Sequence, residues 1–504
     1  MKLANLRRQQ MRKNIQEQMI LGTVDIAEIK FDYRCRDEIP KLLIGLQQIY
    51  ITPELLKKVF NILVKIIPDG VSKKEGRPGM DLWRILVLGT LKLNCNWNYD
   101  KLQDIANNHK TIRLMLGLGE MEDEITFPLN TLKDNVSLLT PQALDKINEE
   151  VVKYSHTLVL KKKEKNLRGQ CDSFVVKTNV HYPTDINLLY DAMRKIIVLA
   201  GRLCKKYNIK GWRQGKYIVK KIKRNLWRLQ NLKRENNRDE GKKERKLQRA
   251  HKEYINEADQ YLNRAKEHIN RLQDVITNEK ELKTLVLMNQ YVIDAERQIH
   301  QIDQRVVQGQ KIPHAEKVFS IFERHTEWIC KGKAGVSQEL GVKVCIIRDQ
   351  YGFILNHEVM EKKQDVEIAV SFIEKTQKKY NNLNSCGFDK GFWSKENKEQ
   401  LEKILETVIM PKKGRPTKLE IAIEAEDVYS RGKREHAAVE SSISALDNHG
   451  LDLCRDKKNN GFKRYVSLAV LARNIQMMGH IIQQRELKKI LRIQVRQQAL
   501  LSAA

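Results

Sequence analysis

The sequence predicts an α/β protein: a mixed-sheet core preceded by a helical N-terminal domain and split by a long helical insertion. Three observations carry this reading. Short β-rich runs, "LRGQCDSFVVKTNV" from 167 and "LGVKVCIIRDQYGFILNHEVM" from 340, are separated by amphipathic helical stretches. Between those two runs, Ile255, Leu262, Ile269 and Ile276 recur every seven residues, as do Ala258, Ala265 and Leu272, the spacing of a helical hairpin or short coiled coil. Before the first run, the apolar spacing is helical and no strand pattern occurs.

At 504 residues the chain is long enough for roughly three domains. A net charge of +29 calls for a polyanionic partner, with nucleic acid the default. A ribosome-associated or membrane-surface protein would show the same excess. The eight cysteines include no C-x-x-C pair, which excludes a zinc ribbon and reads as reduced, packed thiols. No apolar run reaches the ~18 residues needed to span a bilayer. No apolar signal core follows the basic start of the chain. The expectation is a soluble, cytoplasmic protein.

Residues 1–30 are basic and polar. A helix is expected over Tyr50–Ile67, where Thr52-Pro53-Glu54 supplies a cap hydroxyl and a first-turn proline. A charged loop follows at 73–79. Asp81 can cap the next helix, and shorter helices fit Tyr99–Ala106 and His109–Leu116, a trio that suits a helix-turn-helix. The domain expected here is 1–150. The core is expected in two pieces, 151–200 and 311–485. The first holds the strand at 167–180 and a helix opened by Pro183-Thr184-Asp185, with Asp185 read as its N-cap.

The insertion is placed at 201–310. Residues 201–250 alone hold 19 Lys and Arg against 4 Asp and Glu, a net of +15, with Trp212, Tyr217 and Trp227 interleaved. "NNRDEGKK" and "TNEK" read as breaks between its helices. Past it, Val342, Val344 and Ile346 alternate, a turn fits Asp349–Gly352, and Phe353–Val359 returns: a hairpin with Asp349 as a structural acid. A helix over Asp365–Tyr380, the stretch "SCGFDKGFWS", another helix, the short strand in "TVIMPKKGRP" and a helix holding "REHAAVESSISAL" complete the core. A last helix over 462–492 runs into a basic tail at 486–504.

Three acids stand out by order. Asp172 lies in the first strand, Asp389 at the end of a later one, and Glu440 on a late helix. That order is the order of a ribonuclease-H-like nuclease core. Phosphodiester chemistry of this kind uses two Mg²⁺ ions about 3.5–4 Å apart, and Mg²⁺ wants hard oxygen ligands, so a few carboxylates must converge. Glu435 points away from Glu440 on a helix, whereas His436 lies one turn before it on the same face.

Here the residues carry a resemblance. "CDSFVVKTNVHYPTDINLL", "GFDKGFWS" and "REHAAVESSISALDNHGLDLC" look like the three acidic blocks of DDE-class insertion-sequence transposases, most closely the ISNCY type. "KKEGRPGMDLWRILVLGTLKL", "YDKLQDIANNHKTIRLMLG", "FSIFERHTEWICKGKAG" and "PKKGRP" resemble the helical N-terminal domain and connecting segments of the same enzymes, in the same order. The resemblance implies a ribonuclease-H-like fold and Asp172, Asp389 and Glu440 as catalytic metal ligands for Mg²⁺ or Mn²⁺, two ions. It implies a prokaryotic mobile-element enzyme that binds its element's ends, cleaves DNA and transfers strands, acting as a homo-oligomer. Some relatives carry a Tyr-Arg-Glu-Lys signature around the third acid. This chain departs from it, with His436 where the arginine stands and Asp447 where the lysine stands. His436, Arg434 or Lys433 would then take up the phosphate contacts, with Lys390, Lys412, Lys413 and Arg415 as further DNA contacts. Two other readings compete: a DNA-binding protein of transposase descent that no longer cuts, and a basic helical scaffold on RNA or ribosomes.

Overall fold

The computed structural model describes residues 10–11, 13–15, 24–67, 77–119, 124–160, 166–236, 239–330, 338–415 and 417–503. Residues 1–9 and most of the charged loop at 73–79 lie outside them. The chain divides into two compact units, one of residues 1–179 and 329–504, the other of residues 180–328.

The first unit opens with β1 (Gln10–Met11), α1 (Glu38–Ile51) and α2 (Pro53–Leu63). The expected start at Thr52-Pro53 is where α2 begins, with proline in its first turn. Then come β2 (Arg77–Pro78, parallel to β1), α3 (Leu82–Asn94), α4 (Tyr99–Asn108), α5 (Lys110–Met115), α6 (Leu129–Val136) and α7 (Pro141–Val159). Asp81 holds the N-cap position of α3 and pairs with Arg84 at 3.6 Å. His109 caps α5 directly after α4 ends. These helices share one apolar core with the sheet, so 1–150 is not a separate compact unit.

The sheet follows. β3 (Leu167–Thr178) is its centre. After the second unit come β4 (Glu327–Cys330), β5 (Gln338–Arg348), β6 (Ile354–Met360), α12 (Asp365–Lys379), β7 (Leu383–Phe388), α13 (Lys395–Ile404), β8 (Thr407–Ile409), α14 (Lys418–Ala425), α15 (Asp427–Leu446), β9 (Leu453–Cys454) and α16 (Lys458–Ala503). β3 runs antiparallel to β5, and β5 antiparallel to β6. β7 runs parallel to β3, and β8 parallel to β7. The path β6-β5-β3-β7-β8 thus has an antiparallel half and a parallel half meeting at β3; β4 also pairs β5 and β9 pairs β3.

The hairpin turn shows how the sequence sets this geometry. Asp349 is fully buried; its Oδ1 accepts from the backbone N–H groups of Tyr351 and Phe353, each at 2.9 Å, and its Oδ2 meets His156 Nε2 at 2.6 Å. It ties the β5–β6 turn to α7, the structural role expected of it.

α16 is the spine of the unit and runs through the segment read as a tail. It crosses α1 where both helices carry glycine: a Cβ on Gly479 would lie 1.8 Å from the Lys41 carbonyl oxygen, and one on Gly45 2.1 Å from that of Ile475. Gly479→Ala is therefore expected to cost about 1–3 kcal/mol or more by forcing these backbones apart, read as a lowered midpoint in urea unfolding.

The second unit is all helical: α8 (Asp185–Lys206), α9 (Gly215–Arg234), α10 (Glu240–Val275) and α11 (Glu279–Ile302). The heptad residues of α10, with Ile276 just after it, are all buried in its core, and each expected break overlaps a gap between helices and the first residues of the next helix. Its bounds are wider than 201–310, because α8 buries Ile186, Leu189, Met193, Ile196 and Leu203 in this core. Thr184, not Asp185, is the N-cap of α8, accepting from Asn187 N at 3.3 Å; Asp185 instead pairs with Arg305 at 2.8 Å. Among the described residues no helix is long and apolar enough to cross a membrane, and all eight cysteines are free.

Candidate active site

The parallel pairing of β3 and β7 ends at Cys171 and Phe388. The next residue in each chain segment is an acid, Asp172 within β3 and Asp389 directly after β7, so the register sets the two side by side at the centre of the sheet. Asp389 stands at the N-cap position of a short 3₁₀ turn, Lys390–Phe392, but its carboxylate makes no capping bond; its backbone carbonyl accepts from Phe392 N at 3.1 Å. The carboxylate is exposed, so turn capping does not account for it.

Asp172 is half-buried. Its Oδ1 accepts from Ser173 N at 2.7 Å. Burial pushes its carboxyl up to about 6; the nearby negative charges of Asp389 and Asp365 push the same way, against the Ser173 N–H and the His436 ring. Asp365, the first residue of α12, was read from sequence only as a helix start. It joins the site through Ser173, whose Oγ donates to its Oδ1 at 2.6 Å, while Lys343 Nζ donates to its Oδ2 at 3.0 Å. An acid opening a helix after a hairpin looks like dipole compensation, and only the fold reveals its neighbours.

α15 lies against this edge. Gly432 lets it approach β8, since a Cβ there would fall 2.0 Å from Ile409 Cδ1. Arg348 Nη1 donates to the Ala438 carbonyl, and Arg168 pairs with Glu435 at 3.4 Å. His436 Nε2 donates to the Cys171 carbonyl at 3.1 Å, which fixes it beside Asp172. Glu440 follows one helical turn later on the same face and is exposed. Among the described residues no three His, Cys, Asp or Glu side chains stand close enough to cage one metal ion, so Glu440 is brought to the edge but not drawn into a closed set with Asp172 and Asp389.

The basic candidates divide. Lys390 is exposed directly after Asp389. Lys412 Nζ sits 5.7 Å from the Trp393 ring centroid, tying the loop after β8 to the turn after Asp389. Lys413 and Arg415 are exposed in that loop, around Gly414 at φ +106°. Lys433 pairs with Glu424 at 3.6 Å, and Arg434 Nε donates to the Ser430 carbonyl at 3.3 Å, so of the α15 trio it is His436 that meets the acids.

The Asp172 shift has a sign that can be measured. A carboxyl raised from 3.8 to about 6 binds its proton more tightly when folded, so stability is lost as pH rises through that window. Asp172→Asn is expected to raise stability at pH 7.5 by about 1–2 kcal/mol, discounted for partial exposure. At a pH below both values the variant and the parent should melt alike, as thermal unfolding at the two pH values will read.

Scans against family models and searches of curated proteins and of solved structures returned no match for this chain.

Proposed function

We propose that the chain is a DDE-type transposase with a ribonuclease-H-like core, binding DNA ends and catalysing their cleavage and transfer. The observation that carries this reading is that Asp172, midway along β3, and Asp389, directly after β7, follow the last paired residues of two adjacent parallel strands, where the two halves of the sheet meet. The strand order and directions, with α15 placing His436 and Glu440 at the same edge, support it.

The donor set fits Mg²⁺ or Mn²⁺. A half-buried carboxyl held up by its own burial and by two acidic neighbours is what a hard dication would relieve. Asp172 and Asp389 would hold it, with Glu440 as the third ligand; bound, it supplies Lewis-acid stabilisation of charge at phosphorus and activates the attacking oxygen. The chain's own part is orientation. The Ser173 N–H and the His436 ring restrain Asp172, and Lys390, Lys412, Lys413 and Arg415 offer charge for phosphates. On this reading, handling two DNA ends together calls for two copies of the chain.

The test is incubation of the purified protein with supercoiled DNA carrying the sequences that flank its own coding region, with and without Mg²⁺. Strand breaks ending in 3′-hydroxyls, dependent on the metal and on Asp389, support the reading. Tight binding without breaks would favour a DNA-binding protein of transposase descent, and neither result would favour the scaffold reading.

A further inference from the structure

The loop joining α8 to α9 is flanked by two adjacent cavities, of about 1160 and 530 Å³, that share Lys210, Gly211, Trp212 and Arg213. The larger is rimmed by Lys205, Lys210, Arg213, Lys216 and Lys220, with a sixth cation, Arg194, paired to Asp191 at 3.5 Å; among the described residues no carboxylate lines either cavity. Val198, which is exposed, and the half-buried Val219 give the larger one an apolar floor. Elsewhere in this unit some exposed lysines are matched, Lys206 with Glu281, Lys221 with Glu257 and Lys266 with Glu296, each at 2.6 Å, while Lys242 and Lys246 on α10 make no such pair among the described residues. Among the described residues none of the five rim cations makes such a pair. Five like charges on one concave wall repel each other unless a polyanion neutralises them.

The loop is also built, not slack. Asn208, Gly211 and Trp212 all have positive φ, at 55°, 146° and 57°, and a bulky aromatic in that region is rare. His268 Nε2 donates to the Lys210 carbonyl at 3.1 Å, and a Cβ on Gly211 would lie 2.6 Å from that same nitrogen. Trp212 is 4% exposed, with the Arg264 guanidinium 4.9 Å from its ring centroid, yet among the described residues its indole N–H finds no hydrogen-bond partner. Strain held by surrounding contacts marks a surface shaped for a ligand.

We propose that this cavity binds single-stranded DNA. An unpaired nucleotide sets its base on the apolar floor, with its phosphates on Lys205, Lys210, Arg213 and Lys216. A duplex presents its phosphates on a convex cylinder and does not enter a cavity, whereas one nucleotide joins an apolar face to an anion, the pairing that single-strand grooves use. The inference stands on the helical unit alone and survives failure of the catalytic reading.

The experiment measures fluorescence anisotropy of a fluorescein-labelled DNA oligonucleotide, single-stranded or annealed, against the full chain. Lys205→Glu/Lys216→Glu is expected to weaken single-strand binding about tenfold or more and to reduce the salt slope by about 1.4, at about 0.7 per lost phosphate contact. Duplex binding should move less than about threefold. Lys242→Glu/Lys246→Glu, the same charge change at exposed positions of α10, should leave single-strand affinity within about threefold, because the cavity concentrates the contacts. Val219→Trp, which fills the floor, should weaken binding with the salt slope unchanged. Equal losses from both charge reversals, duplex loss as large as single-strand loss, tighter binding of RNA than of DNA, or parental binding by a folded Val219→Trp would each overturn the proposal.

Discussion

On the proposed transposase function, Asp389→Asn is expected to lower metal-dependent DNA cleavage by about 10³-fold or more while leaving the fold intact. The side chain is exposed and caps nothing, so its loss should shift stability by no more than about 0.5 kcal/mol. The substitution keeps the shape and removes the charge. Glu440→Gln should behave alike, since Glu440 is exposed on α15. His436→Ala is different in kind: it deletes the donor to the Cys171 carbonyl and so loosens the restraint on Asp172. A cleavage assay beside urea unfolding separates the two classes. Loss of activity in Asp389→Asn with an unchanged unfolding midpoint is the expected pair of results.

The second large effect is on stability alone. Asp349→Ala should destabilise the first unit by about 3–5 kcal/mol. The aspartate has no exposed surface and serves three partners, the backbone N–H groups of Tyr351 and Phe353 and the His156 ring. Alanine would leave those donors buried without acceptors and release the turn that sets the β5–β6 register. Asp349→Asn, which keeps one acceptor oxygen, should cost less. Chemical denaturation of the three proteins at one pH measures the series.

The contrast between these two acids shows what is legible in a sequence. Asp349 sits in a turn between two alternating runs, and its structural role follows from position. Asp172 and Asp389 are singled out by chain order, but their adjacency depends on a parallel register between strands 217 residues apart. The helical block is legible in detail because every seventh residue of α10 is apolar, and the pattern continues into its core. Its true start is hidden, because α8 follows β3 through only a short segment and reads equally well as part of the sheet's own helical layer. Thr184 and Asp185 are both good caps, and Arg305, 120 residues away, decides which is free to cap. Asp365 is missed for a similar reason. Its place in the site is made by Ser173 on β3 and Lys343 on β5, and no local pattern records that.

Asp172 and Asp389 are proposed to form a cation site beside α15. This is tested most directly by soaking crystals of the full chain in Mn²⁺ and locating the metal by anomalous scattering. A peak within coordination distance of the Asp172 and Asp389 carboxylates, lost in Asp172→Asn, is the expected result. Mn²⁺ bound only elsewhere, with Asp172 and Asp389 left without a metal contact, would contradict it.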